Sequence, residues 1–183
     1  MALIKTMKII FSLLLLFLMA NAGFSQAKNT VKYAVVTFEV KNMGINTSGT
    51  IGGLQTEIQF NPLNLPASKI EASVDVNTIN TDNDSRDEHL KGEDFFDVAH
   101  YPKITLSSLS FKLKSGSNYA GVFDLSIKGK SKQVEIPFAF NYKDSDLAFN
   151  GTFKINRIDF GVGENSLVLS NEITINIKAE TSK

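Results

Sequence analysis

From Val134 to Tyr142 the chain alternates without a break. Val134, Ile136, Phe138, Phe140 and Tyr142 fall on one side, and Glu135, Pro137, Ala139 and Asn141 on the other. Successive side chains of a strand point to opposite faces, so this period of two marks a half-buried antiparallel strand. Pro137 falls on the outward face. It has no N–H to give to a ladder, so it marks an edge-like or bulged spot. The same pattern recurs before and after. Tyr119, Gly121, Phe123, Leu125 and Ile127 share a face, as do Leu147, Phe149, Gly151, Phe153 and Ile155, and then Ile173, Ile175, Ile177 and Ala179. Earlier come Leu54, Thr56, Ile58 and Phe60, then Ile70, Ala72, Val74 and Val76. Over 103–114 the phase changes. Ile104 and Leu106 hold even positions and Leu109, Phe111 and Leu113 odd ones, so a β-bulge is expected at Ser107-Ser108.

With the segment around Val31–Val40 this predicts eight strands. A single helical candidate lies between the third and fourth. Ser85 followed by Glu88 fits a capping box, Asp82 and Asp84 stand near the helix start, and Gly92 can end it, giving a short helix over 85–91. Eight one-faced antiparallel strands can close on themselves, which removes exposed edges and leaves room for packed side chains or one small ligand. The expected fold is therefore all-β, an eight-stranded antiparallel lipocalin-like barrel with one short helix, and a β-sandwich is the competing architecture. Lys and Glu at mid-strand on the outward faces argue against an outer-membrane barrel, whose outside must meet lipid.

The first residues read differently. Lys5 and Lys8 precede an apolar run, Ile9 to Ala20, broken only by Ser12, and small residues follow in Asn21-Ala22-Gly23-Phe24-Ser25. That order is a secretory signal peptide, and the run is short for a bilayer span. Residues 1–25 are expected to be the signal, with Gln26 as the mature terminus, one domain over 26–183, and no stable membrane span after removal. The chain lacks cysteine, so lipid attachment, disulfides and thiolate metal sites are excluded. Among 19 basic and 19 acidic residues, loss of Lys5 and Lys8 with the signal leaves a net charge of −2, which argues against nucleic-acid binding.

Catalytic chemistry has little to stand on. The histidines are His89 and His100 alone, no Gly-x-Ser-x-Gly elbow is present, and no spacing suggests a metal or a cofactor. The expectation is no enzyme. The densest polar run is Thr81 to Leu90, where Arg86 and His89 share a helix face. It is either a capped surface helix with local ion pairs, or a cover over one barrel mouth with Arg86 or His89 near a ligand's polar end. Phe95-Phe96 either plug the barrel end or line its entrance. Arg157 and Asp159 are expected to pair at the surface. Gly121 and Gly151 sit on inward faces, where they leave room for a cavity or mark barrel-corner kinks.

Several of these stretches resemble the YceI family. They are Val76-Asn77-Thr78-Ile79-Asn80-Thr81, Arg86-Asp87-Glu88-His89-Leu90, Asp94-Phe95-Phe96-Asp97 with Tyr101-Pro102-Lys103-Ile104, Gly121 to Gly129, and Arg157-Ile158-Asp159-Phe160-Gly161. The resemblance covers about Val31 to Glu180. It implies a lipocalin-like barrel exported to the periplasm of a Gram-negative-type bacterium, or secreted. It further implies an elongated apolar pocket for a polyisoprenoid or fatty-acid-type lipid, sometimes within a homodimer. On that basis Phe123, Phe138, Phe149 and Phe153 are expected to line the lumen. Phe95, Phe96 and Phe160 are placed near its ends, and Arg86 and His89 at the lipid's polar end. The rival reading is a barrel filled by its own phenylalanines that serves as a periplasmic interaction or stress-response scaffold.

Overall fold

The alternating runs are strands of one antiparallel sheet, and their register explains most of the architecture. The computed structural model describes residues 30–143 and 146–182, so the expected signal peptide lies outside the described residues. The strands are β1 (Thr30–Asn42), β2 (Ile45–Ile51), β3 (Gln55–Gln59), β4 (Lys69–Asp75), β5 (Lys103–Ser115), β6 (Asn118–Ile127), β7 (Lys130–Lys143), β8 (Asp146–Asn156) and β9 (Leu169–Ser182). Their spatial order is β2-β1-β9-β8-β7-β6-β5-β4-β3. The sheet curls into a half-barrel, apolar face inward. Its outer face is wet and charged, with cross-strand pairs such as Lys112–Glu135 (2.8 Å) and Lys154–Glu172 (2.7 Å). Exposed pairs of this kind contribute little to stability.

The described residues hold nine strands rather than eight, and the additional one is β2. Its middle inward positions, Thr47 and Gly49, are weakly apolar, and at Gly49 a neighbour fills the space. A Cβ on Gly49 would stand 2.5 Å from Phe38 Cζ, and Phe38 is its partner across the ladder. The run 45–59 is in effect one strand bent at Gly52-Gly53-Leu54. Its first half pairs with β1 and its second with β4. Gly53 takes a positive φ of 66°, and a Cβ there would meet Asp75 Cβ at 2.8 Å. The bend is pinned where Asp75 N donates to Gly52 O (3.0 Å) and Gly52 N donates to Thr78 Oγ1 (2.7 Å). The two outermost strands of the sheet are therefore consecutive in sequence.

The phase change in β5 is a bulge centred on Leu109. Ser108 pairs with Phe123 and Ser110 with Val122, which leaves Leu109 extra and 51% exposed. The expected site at Ser107-Ser108 was one to two residues early. Ser108 keeps an inward place and uses its hydroxyl to accept a hydrogen bond from Ile70 N (2.9 Å). Pro137 is exposed, as its outward position requires. It also marks where the β7–β8 ladder stops, since pairing runs only as far as Phe138↔Gly151. A residue without an N–H cannot extend that ladder.

The helix, α1 (Asp84–Lys91), begins one residue earlier than expected. Its cap is Asn83, whose side chain accepts from Arg86 N (2.9 Å), rather than Ser85. After α1 the segment 92–102 folds back beneath it. Phe96 N donates to Leu90 O (3.0 Å) and Val98 N to Lys91 O (3.0 Å), and Gly163 N donates to Asp94 O (2.8 Å) from the loop before β9. Helix, segment and loop form one cover over an end of the half-barrel.

Candidate ligand cavity

The inward face behaves differently at the two ends. At the end away from α1, Phe60 makes edge-to-face contacts with Phe111, Tyr119, Phe138, Phe140 and Phe149, at centroid distances from 4.9 to 5.9 Å. Small residues lie among these rings. Gly121 pairs with Phe111, Gly151 with Phe138, and Ala179 with Phe149. A Cβ on Gly121 would fall 2.4 Å from Phe123 Cε2, so this glycine hosts a ring rather than open space. This end is a packed aromatic core. Offset and edge-to-face pairs add roughly 0.5–1.5 kcal/mol each beyond their burial.

At the end beneath α1 the same inward positions carry Val36, Val40, Ile104, Ile173, Ile175 and Ile177, and these enclose a cavity of about 480 Å³. Leu106, Leu125 and Ile127 continue its wall, and Phe38 and Phe153 add rings. That volume is in the range of sites that take drug-sized ligands. β-branched side chains are stiff and short, so facing walls do not meet across the lumen as the phenylalanines do.

The cover supplies the polar part. Among the residues lining the cavity, the ionisable ones are Arg86, His89 and Arg157, and no carboxylate is among them. Arg86 is half-buried. Its Nε donates to Thr81 Oγ1 (2.7 Å) and its Nη2 to Thr81 O (2.6 Å), while Nη1 makes no hydrogen bond to a described residue. Thr81 in turn donates through its hydroxyl and its N–H to the buried carboxylate of Asp87. This fixes the start of α1 against the loop. His89 is exposed at the mouth and packs edge-to-face on Phe95, with centroids 5.0 Å apart.

Arg157 departs from expectation. It does not pair with Asp159 at the surface but is 4% exposed. Its guanidinium donates to the carbonyls of Ser170 (3.0 Å), Val162 (2.8 Å), Glu164 (2.7 Å) and Leu169 (3.3 Å) and to Asn171 Oδ1 (3.1 Å). Burial lowers its pKa from the ordinary arginine value, and the ring of carbonyl oxygens compensates the charge. Arg157 ties down the loop that walls the cavity, and all of its nitrogens are engaged in doing so.

Of the aromatic residues expected around a lumen, Phe153, Phe95, Phe96 and Phe160 line the cavity, together with Arg86 and His89. Phe123, Phe138 and Phe149 stand outside its lining, in the packed clusters. Sequence reasoning missed Val36, Phe38, Val40 and the isoleucines of β9 as cavity walls. Their signal was present as inward-facing apolar positions of β1 and β9, which alternation reports without saying which of them border open space. Among the described residues no group of three or more His, Asp or Glu could hold a metal ion, and no helix is long and apolar enough to cross a membrane.

A family model described as a YceI-like domain matches residues 27–181. A Pseudomonas syringae pv. tomato protein described as a UPF0312 protein is 31% identical over 170 residues, covering 84% of this chain and 88% of the relative. A Yersinia pestis relative of the same description is 25% identical over 158 residues, 81% of each chain. Among solved structures, Burkholderia cenocepacia BcnA aligns with a TM-score of 0.77 at 23% identity, covering 80% of this chain and 95% of that one. A polyisoprenoid binding domain from Saccharophagus degradans aligns with a TM-score of 0.61 at 13% identity, covering 85% and 97%. At such identities these two structures speak for the fold.

Proposed function

The chain belongs to the YceI-like family, and from that premise we propose that it is an exported, non-enzymatic protein that shelters the apolar part of an amphiphilic lipid, an isoprenoid or a related chain, in the cavity beneath α1. The observation that carries this reading is the cavity itself, about 480 Å³ walled by aliphatic side chains and edged by Arg86 and His89 with no lining carboxylate. The structural neighbour from Saccharophagus degradans, described as binding polyisoprenoid, supports the class of guest. The basic, apolar, then small order of residues 1–25 supports export, with the periplasm of a Gram-negative-type bacterium as the destination.

The mechanism is sequestration. Each methylene taken out of water is worth about 0.8 kcal/mol, so one isoprene unit gains on the order of 3–4 kcal/mol before the ordering of the chain is set against it. Aliphatic walls supply that gain without directional contacts. Direction comes from the mouth, where the unengaged Nη1 of Arg86 and the exposed ring of His89 can meet a phosphate, carboxylate or carbonyl head.

The packed aromatic end fits the alternative of a filled barrel used as an interaction scaffold, so one experiment must separate the two. Native mass spectrometry of the mature protein purified from its exported compartment, followed by organic extraction, does so. A stoichiometric adduct that extracts as a prenyl or fatty-acid-type lipid is the expected result. A bare mass that stays bare after incubation with isoprenoids and fatty acids would sink the lipid reading and favour the scaffold.

A further inference from the structure

Of the nine large apolar side chains that stand exposed among the described residues, four gather at one place on the rim of the half-barrel. Met43 is 74% exposed, Ile45 70% and Val168 51%, and Leu167 stands wholly in solvent. The β1–β2 turn and the loop before β9 carry them, and the backbone holds the two together. Met43 N donates to Val168 O (2.7 Å), and Asn42 pairs with Ile45 on one side and with Leu169 on the other. This rim is also an edge of the cavity, since Asn42, Thr47 and Leu169 line it together with Ser85, Arg86 and His89 of α1. No residue from Asn42 to Thr56, or from Asn165 to Asn171, is ionisable. Turn chemistry does not account for the patch. Met43 (φ 52°) and Gly44 (φ 79°) both take positive φ in a two-residue hairpin turn, where Asn or Asp before Gly is favoured. A bulky residue at positive φ is an outlier, so the turn itself gives no reason for a methionine in water.

We propose that this rim docks the protein on a phospholipid bilayer, with the cavity mouth against the lipid from which the guest is drawn. The proposal rests on the lipid-binding reading and adds to it the partner that delivers or receives the guest. Exposed apolar patches mark contacts with proteins or membranes, and two observations favour the bilayer. The patch is continuous with the lining of a cavity whose guest is an amphiphile. It is also free of charge, as side chains entering the headgroup boundary need to be, because a charge there would have to give up its water. Ionisable residues begin only beyond the two segments, at Lys41, Glu57, Glu164 and Glu172. Docked in this way, the guest passes from acyl chains to aliphatic walls without exposing its length to water, the costly step of any transfer through solution. The contact is shallow and requires no spanning element.

The test is flotation of the mature protein with vesicles of dioleoyl phosphatidylcholine, read beside native mass spectrometry of farnesol and oleic acid uptake from detergent. The wild-type protein is expected to float with the vesicles, and to the same extent at low and at high salt, because no ion pair holds it there. The double variant Ile45→Asp with Leu167→Asp changes only exposed side chains. It should lower the bound fraction about tenfold or more while uptake from detergent stays as in the wild type. Ile45→Leu with Leu167→Ile keeps the patch apolar and should float as the wild type does. A wild type that stays in solution beside the vesicles would overturn the docking, as would an aspartate variant that floats equally well, and either would leave lipid binding standing. If the aspartate substitutions instead split a dimer in sedimentation velocity, the patch belongs to a second copy of the chain and the docking falls. Failure of the wild type to take up either lipid from detergent would remove the reading on which the docking rests.

Discussion

The two ends of this half-barrel are built on one alternation and do opposite things with it. Around Phe60 the inward positions pair large with small, Phe111 with Gly121, Phe138 with Gly151 and Phe149 with Ala179, and the rings close the space. Beneath α1 Val36 pairs with Ile177 and Val40 with Ile173, medium with medium, and a cavity of about 480 Å³ is left. Burial of apolar area stabilises both ends, but only at the first do the inward rings meet one another and leave no cavity among them. Hydrophobicity decides which side chains face inward. Shape complementarity decides whether anything else fits among them.

The largest effect should come from breaking the packed end. Phe60 touches the other rings of its cluster, so Phe60→Ala should cost about 3–5 kcal/mol in urea unfolding through lost contacts and a new void. Lipid occupancy in the surviving folded fraction should persist, because Phe60 does not line the cavity. If occupancy vanished while the fold remained, the two ends would not be independent.

A matched pair of substitutions sharpens the comparison next. Ala179 is buried among the rings and Ala72 lines the cavity. Ala179→Leu overpacks a full site and should lose about 1–3 kcal/mol. Ala72→Leu enters open space, so its stability should change little while lipid occupancy falls. Equal losses of stability from the two would mean that the cavity is not free volume. Arg86→Ala should then cost about 1 kcal/mol, because it removes two donors to Thr81. It should weaken binding of acid-headed lipids more than that of alcohols, as a side-by-side titration would show.

The smallest effect is one of pH. The carboxylate of Asp97, hydrogen-bonded to His100 Nδ1 at 2.8 Å, holds that imidazole above its ordinary pKa. A raised folded-state pKa adds stability that is present in full below the unfolded value and fades as pH rises through the folded one. Thermal midpoints of wild type and His100→Gln should therefore differ slightly near pH 5 and coincide at pH 8, a modest effect because the ring is exposed. A difference that grew with pH would contradict the pairing.

The parts of this fold that could be read in advance are those where a local pattern reports directly on orientation. β6, β8 and β9 carry unbroken alternation, and the inward residues named from it are inward. The phase change in β5 announced a bulge, though its place at Leu109 rather than Ser107-Ser108 depends on how β6 pairs with it. The stretch 49–53 reads as strand-like, but β2 does not stand out as a strand of its own because its inward Gly49 is completed by Phe38 from another strand. Arg157 looked like half of a surface pair because its acceptors are, Asn171 Oδ1 apart, backbone carbonyls of 162–170, which no side-chain pattern reveals. The cavity was illegible for a related reason. Alternation is blind to position along the barrel axis, and a glycine beside a phenylalanine reads as room until the ring is seen lying over it.

The pairing of β1 with β9 has a consequence for how the molecule comes into being. Thr30 meets Ser182 and Val40 meets Ile173, so almost the whole chain separates these partners. Local hairpins such as β5–β6 and β6–β7 can form as soon as they emerge from an N-terminal-first synthesis. The seam between β1 and β9 must wait until β9 is available, and joining such distant partners slows folding. Until then β1 has no β9 to lie against and the aliphatic walls of the cavity stand apart. The pairing of β9 with β1, the sealing of the wall and the creation of the guest's compartment become a single late event.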